Sequence, residues 1–192
     1  RQWNADGLIA RMDSSPVIHV VKKLALPTVD LSGSVTIAGV AGVYPDHHKV
    51  IALAVEHLVA NGVRNLAFCG YPGVNFSDAR ERVFHEMPLQ HGTKHVFGTP
   101  VLDPAPGEML SYEQRGVIDA SRLQAWLRDL PKPVGVITCS DTRGRQVLEA
   151  CDAADIRVPY DVSVVGVDDD DVVCELSNPR LTSVRHANVG GI

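Results

Sequence analysis

Two apolar runs, each ending in acid, decide most of what this chain can fold into. "PVGVITCSD" (133–141) is a continuous apolar stretch that closes on a polar tip. "RVPYDVSVVGVD" (157–168) turns at Pro159, runs apolar, and opens into Asp168, Asp169, Asp170 and Asp171. Between them, "DTRGRQVLEACDAADI" (141–156) has the length and pattern of a helix. Strands that are apolar along their whole length are covered on both faces, and a strand–helix–strand repeat joins parallel strands. Ligands in such sheets sit beyond the carboxyl ends of the strands. The two acidic strand ends therefore predict one site.

The same alternation extends upstream. "GLIAR" (7–11) and "PVIHVV" (16–21) read as buried strands. "PDHHKVIALAVEHLVANG" (45–62) reads as a helix capped by Asp46 and stopped at Gly62, with Val50, Ile51, Ala54, Leu58 and Val59 near one face. "VRNLAFCGYPG" (63–73) is a strand and turn. "SDARERVFHEMPLQHG" (77–92) is a helix capped by Ser77 that breaks before Pro88, and "KHVFG" (94–98) is a further strand. Residues 101–116 read as a loop. "SRLQAWLRDL" (121–130) is a helix with Leu123, Trp126, Leu127 and Leu130 on one face. The fold class predicted is α/β, with parallel sheets flanked by helices.

Bulk properties narrow the function. The chain has 192 residues and a net charge of -5, which disfavours broad contact with phosphate backbones. No stretch approaches the ~20 apolar residues that span a bilayer, and the opening "RQWNADGLIAR" is not a signal peptide. Cys69, Cys139, Cys151 and Cys174 show no C-x-x-C spacing, and three of them lie in or beside apolar runs where reduced cysteine behaves as a small hydrophobe, which points to a cytoplasmic protein.

Four chemistries compete for the strand-end site. Phosphate-binding loops are absent: no G-x-G-x-x-G or G-x-x-x-x-G-K-[ST] occurs, and "GVAGVYPD" (39–46) has neither the lysine nor the spacing. A magnesium-dependent phosphatase would use Asp168-x-Asp170, but Val172 stands where that motif needs a hydroxyl. Nucleophilic hydrolysis lacks a G-x-S-x-G elbow, and His47, His48 and His57 read as solvated or structural. Recognition of a polyol fits best. A strand-end carboxylate accepts hydroxyl hydrogen bonds worth ~1.5–3 kcal/mol each, and Asp168, Asp141 and Arg80 would form a sugar clamp. Asp141 reads equally as a helix N-cap, and Asp170 and Asp171 as a cap and a solvated turn. No cofactor and no metal are implied.

"SDTRGRQVLEACDAADIRVPYDVSVVGVDDDDVVCELSNPRLTSVR" (140–185) resembles the distal part of the effector-binding domain of LacI/GalR-type repressors, and "VEHLVANGVRNLAFCGYPG" (55–73) and "SDARERVF" (77–84) match the same family. "FCGYPG" and "VCELSNPRLTSV" look most like the xylose-operon regulators, in which such a sensor precedes an AraC-type helix-turn-helix domain. The resemblance implies a two-lobed, periplasmic-binding-protein-like sensor of a pentose such as xylose. It would be homodimeric, non-enzymatic, and act on operator DNA through a domain outside these residues. It implies that residues 1–62 belong to an incomplete N-terminal lobe, 63–183 to the C-terminal lobe and 184–192 to a crossing back. Its sugar contacts carry over to Arg80, Asp141 and Asp168, with Ser140 standing where many relatives have Asn and Asp169 as a supporting or alternative ligand. A sugar-binding protein for uptake is the alternative.

Overall fold

The computed structural model describes residues 4–12, 14–31, 37–88, 92–96 and 112–185. Two parallel sheets organise them. The first contains β1 (Leu8–Ala10), β2 (Thr28–Asp30) and β3 (Ala41–Gly42), in that order. The second contains β4 (Asn65–Cys69), β5 (Lys94–His95), β6 (Val134–Thr138), β7 (Val162–Val167) and β8 (Thr182–Val184), in the order β5-β4-β6-β7-β8. Every pairing is parallel. The α/β class and parallel sheets read from the sequence are those observed.

Among the described residues six helices connect the strands: α1 (Ser15–Leu24), α2 (His47–Ala60), α3 (Asn75–Glu86), α4 (Tyr112–Asp129), α5 (Asp141–Ala153) and α6 (Asp171–Leu176). Alternation along the strands of the larger sheet sends side chains to opposite faces. Leu66, Phe68, Ile137, Cys139, Val165 and Val167 face α2 and α3. Ala67, Cys69, Val134, Val136, Val162 and Val164 face the α4–α5 side, with Leu123, Leu127, Val147 and Cys151. The helix after β4 thus covers one face and the helix after β6 the other. β4 and β6 remain paired to their last residues, Cys69 and Thr138, and the helices that follow them leave to opposite faces, so a crevice is expected beyond these ends, where the winding reverses.

Four readings are corrected. "PVIHVV" is helical, inside α1, despite its β-branched residues: Pro16 occupies the first turn, where its missing N–H costs nothing, and Lys22 and Lys23 sit in the last turn. A strand ladder would have needed that N–H. The helix α3 opens at Asn75, two residues before Ser77, whose hydroxyl instead accepts the Tyr71 N–H at 2.8 Å. Tyr112 to Gly116, read as loop, begin α4; the rest of that loop, 101–111, and residues 97–98 of the expected strand lie outside the described residues. Last, the resemblance assigns α2 to the first lobe, yet Val50, Ile51, Ala54 and Leu58 are buried in the core of the larger sheet. This apolar stripe fits the β4–β6–β7 face. Asp46 caps α2, accepting the Lys49 N–H at 3.1 Å, as the sequence indicates.

All four cysteines are free and buried. Burial pushes the Cys139 thiol up to about 11 and Cys151 up to about 12, so these side chains pack as neutral hydrophobes.

Candidate functional site

The crevice is lined from three directions, and each direction follows from the local fold. On α3, Arg80 lies one and a half turns in and is almost fully buried. Its guanidinium crosses to the end of β6, donates to the Cys139 carbonyl, and stands 3.6 Å from Asp168 Oδ1 at the end of β7. The Phe76 ring lies under it, 5.4 Å from the guanidinium carbon. Arg80 Nε is buried and has no hydrogen-bond partner, an unusual state for a charged donor. Asp168, by contrast, keeps 43% of its side chain exposed. One buried cation and one accessible anion therefore meet at the mouth of the crevice.

The backbone that presents Asp168 is out of the ordinary. Asp168 has φ +122° and Asp169 has φ +56°, a region where L side chains are rarely found. Such conformations cost of order 1–3 kcal/mol each and persist only where surrounding structure holds them. Three successive amides are held: Asp168 N–H donates to the Val184 carbonyl at 3.1 Å, Asp169 N–H to Ser183 Oγ at 3.0 Å, and Asp170 N–H to Asp141 Oδ2 at 2.7 Å.

The remaining acids separate by role. Asp169 pairs with the Arg185 side chain just past β8. Asp170 caps α6, accepting Val172 N–H and Val173 N–H at 3.0 Å each. Asp171 is exposed in the first turn of α6. The carboxylates of Asp168 and Asp170 thus have different partners, at the crevice and at the helix start. Among the described residues no three His, Cys, Asp or Glu side chains converge on a metal position.

Ser140 is the N-cap of α5, its hydroxyl accepting the Arg143 N–H at 3.3 Å. Asp141 follows it at the first helical position and is 2% exposed. Its Oδ1 accepts from Ser183 Oγ at 2.5 Å and its Oδ2 from Asp170 N–H. The five candidate residues, Arg80, Ser140, Asp141, Asp168 and Asp169, therefore form one linked cluster at the carboxyl ends of β6 and β7. Arg80 and Asp168 face each other there, while Asp141 is turned into the protein and occupied by two protein donors.

A second polar cluster escaped the sequence reading. Arg143 and Asp119, both fully buried, form a paired contact between α5 and α4, at 2.7 Å and 3.3 Å. Gln146 Oε1 accepts from Arg143 at 2.9 Å and from the Tyr71 hydroxyl at 3.1 Å. The Arg143 guanidinium sits 5.0 Å above the Tyr71 ring, and burial raises the Tyr71 phenol well above its ordinary range. Gly116 admits this cluster, since a Cβ there would lie 2.4 Å from Gln146. One signal was readable: Asp119 continues the apolar stripe of Leu123, Leu127 and Leu130 at helical spacing, where an acid must be paired.

Residues 55–189 match the family model described as a periplasmic binding protein-like domain. The chain belongs to this family. It is 29% identical over 191 residues to the xylose operon regulatory protein of Escherichia coli K12, an alignment covering 96% of this chain and 47% of that protein. The solved structure of a xylose-binding transcription activator superposes with a TM-score of 0.70 at 27% identity, covering 95% of this chain and 48% of the other. A LacI family transcriptional regulator from Mycobacterium smegmatis superposes with a TM-score of 0.69 at 22% identity, covering 95% of this chain and 65% of the other. The chain spans about half the length of the curated relatives it matches. Among the described residues no helix is long and apolar enough to cross a membrane.

Proposed function

We propose that this chain is the effector-sensing part of a non-enzymatic, sugar-responsive transcription regulator, and that its effector is a pentose, with xylose first. The observation that carries the reading is Arg80 facing Asp168 across the crevice. A polyol hydroxyl can donate to the accessible Asp168 carboxylate while a neighbouring oxygen accepts from the guanidinium, so one ligand satisfies both groups. The similarity to xylose regulators supports the choice of sugar. Ser140 adds a hydroxyl at the same strand end. Sugar would bind the closed lobe arrangement better than the open one, and that difference in affinity would shift DNA binding by a domain elsewhere in the full-length protein.

The first sheet is proposed to be one part of the opposing lobe. Ile9 on β1 is 76% exposed, and Val17, Val20 and Leu24 on α1 are also exposed; further first-lobe elements of the full-length protein would cover them. We also infer pairing with a second copy through α5 and α6. Val172 and Leu176 are exposed on α6, flanked by the Arg145–Glu149 and Arg180–Glu175 pairs. A two-fold interface brings one patch onto itself, so a patch carrying both signs of charge is self-complementary. Light scattering should give a dimer for the full-length protein and a monomer for Leu176→Arg; a wild-type monomer would remove this part of the proposal.

The sugar assignment is tested by thermal shift of the full-length protein against a pentose and hexose panel. At a hundredfold excess over Kd the stabilisation is ~2.7 kcal/mol, or on the order of 5–10 °C at about 2–4 °C per kcal/mol. No shift with any pentose at millimolar concentration overturns it.

A further inference from the structure

Asp141 combines two properties that a ligand contact should not have. It is almost fully buried, and both carboxylate oxygens already accept from the protein, Oδ1 from Ser183 Oγ and Oδ2 from Asp170 N–H. Its location explains why. A Cβ built at Gly166 would lie 2.2 Å from Asp141 Oδ1, so the carboxylate rests against the β7 backbone, behind the turn that carries Asp168. Gly166 pairs in register with Ser183 on β8, which puts the Ser183 hydroxyl beside the same carboxylate.

We propose that Asp141 is a positioning residue: it holds the Asp168–Asp170 turn in its left-handed geometry, and so fixes Asp168 in the crevice without touching the ligand itself. The proposal rests on the sugar-site reading of Asp168. Two of the three amides that restrain the turn end on Asp141, one directly and one through Ser183, whose hydroxyl donates to Asp141 while accepting from Asp169 N–H. With φ at +122° and +56°, Asp168 and Asp169 have a backbone that relaxes elsewhere once those acceptors are lost. The carboxylate suits the task because it accepts two bonds from two donors; an amide of the same shape accepts one and presents a donor to the other.

The test is a pair of double-variant cycles in the full-length protein, with D-xylose titrated by calorimetry. Asp141→Asn should weaken binding about tenfold in the otherwise wild-type protein, yet change it less than twofold when Asp168 is already Asn. A residue acting through Asp168 has nothing left to lose there, whereas two independent sugar contacts multiply. Ser183→Ala, whose side chain is part of the same relay, should behave the same way. Losses that multiply in both cycles, or full affinity in Ser183→Ala, overturn the proposal. If Asp141→Asn does not fold, the Ser183→Ala cycle decides alone. A ligand-free readout separates this proposal from the sugar assignment: the backbone amide resonances of Asp169 and Asp170 should shift in Asp141→Asn and Ser183→Ala with no sugar present. Unchanged amides would refute the positioning role, even where xylose proves the wrong ligand.

Discussion

The two sheets are built to different standards. The larger one has three strands of five or six residues at its centre, apolar side chains on both faces, and helices on each side. The smaller one has strands of three, three and two residues, none of them fully buried. Its anchor is polar: Asp30, 2% exposed, accepts the Met12 N–H at 3.0 Å and the Tyr44 hydroxyl at 3.2 Å. Apolar burial contributes roughly 25 cal/mol per Å², so stability should concentrate in the larger sheet, where the candidate site also lies. A binding crevice gains from this. Arg80 and Asp168 extend from elements whose other faces are locked into the core, so their relative position is fixed before any ligand arrives.

The largest effect expected lies within the larger sheet's helices. Removing one partner of the buried Arg143–Asp119 pair strands the other charge, which costs ~3–5 kcal/mol. Asp119→Ala should therefore show a sharply lower urea midpoint in the full-length protein. An unchanged midpoint would mean the cluster is not the clamp between α4 and α5 that its distances indicate. A smaller contrast compares the two sheets directly. Leu66→Ala, in β4, should cost ~2–5 kcal/mol, whereas Ile9→Ala, in β1, should stay within ~0.5 kcal/mol unless other first-lobe elements bury it in the full-length protein. A large loss at Ile9 would sharpen the proposal that this face is covered.

The smallest effect is a matter of pH. The Arg157 side chain hydrogen-bonds Asp161 and holds its carboxyl at about 2, below the ordinary 3.8. A depressed carboxyl contributes stability that is complete above the ordinary value and lost as pH falls through about 2. In Arg157→Ala that part of the acid dependence should flatten in a pH series of urea melts. The pair is exposed, so the change is slight.

The contrast between the sheets also explains what the sequence disclosed. Strands β4, β6 and β7 were legible because burial on both faces demands unbroken apolar runs, and α2 because its stripe and its Asp46 cap agree. "PVIHVV" misled because its β-branched residues suit a strand, while Pro16 and the two lysines suit a helix; the surface it occupies imposes little packing to arbitrate. The acidic ends of β6 and β7 could be read from the sequence, and Arg80 and Asp168 meet there. The cap at Asp170 and the exposed Asp171 could be read as well; the burial of Asp141 could not. Which carboxylate faces the crevice depends on the φ of Asp168 and Asp169 and on Ser183, fifteen residues from Asp168, and no local pattern encodes that register.

We propose Asp168, steered toward Arg80, as the sugar-binding acid of the run. Calorimetric titration of the full-length protein with D-xylose, wild type against Asp168→Asn and Asp171→Asn, tests it most directly. Asp168→Asn exchanges an acceptor oxygen for a donor and should weaken binding by ~1–3 kcal/mol, roughly five- to a hundredfold, while Asp171→Asn, exposed on α6, should bind like wild type. Equal affinity for wild type and Asp168→Asn, with a loss in Asp171→Asn, would contradict the account.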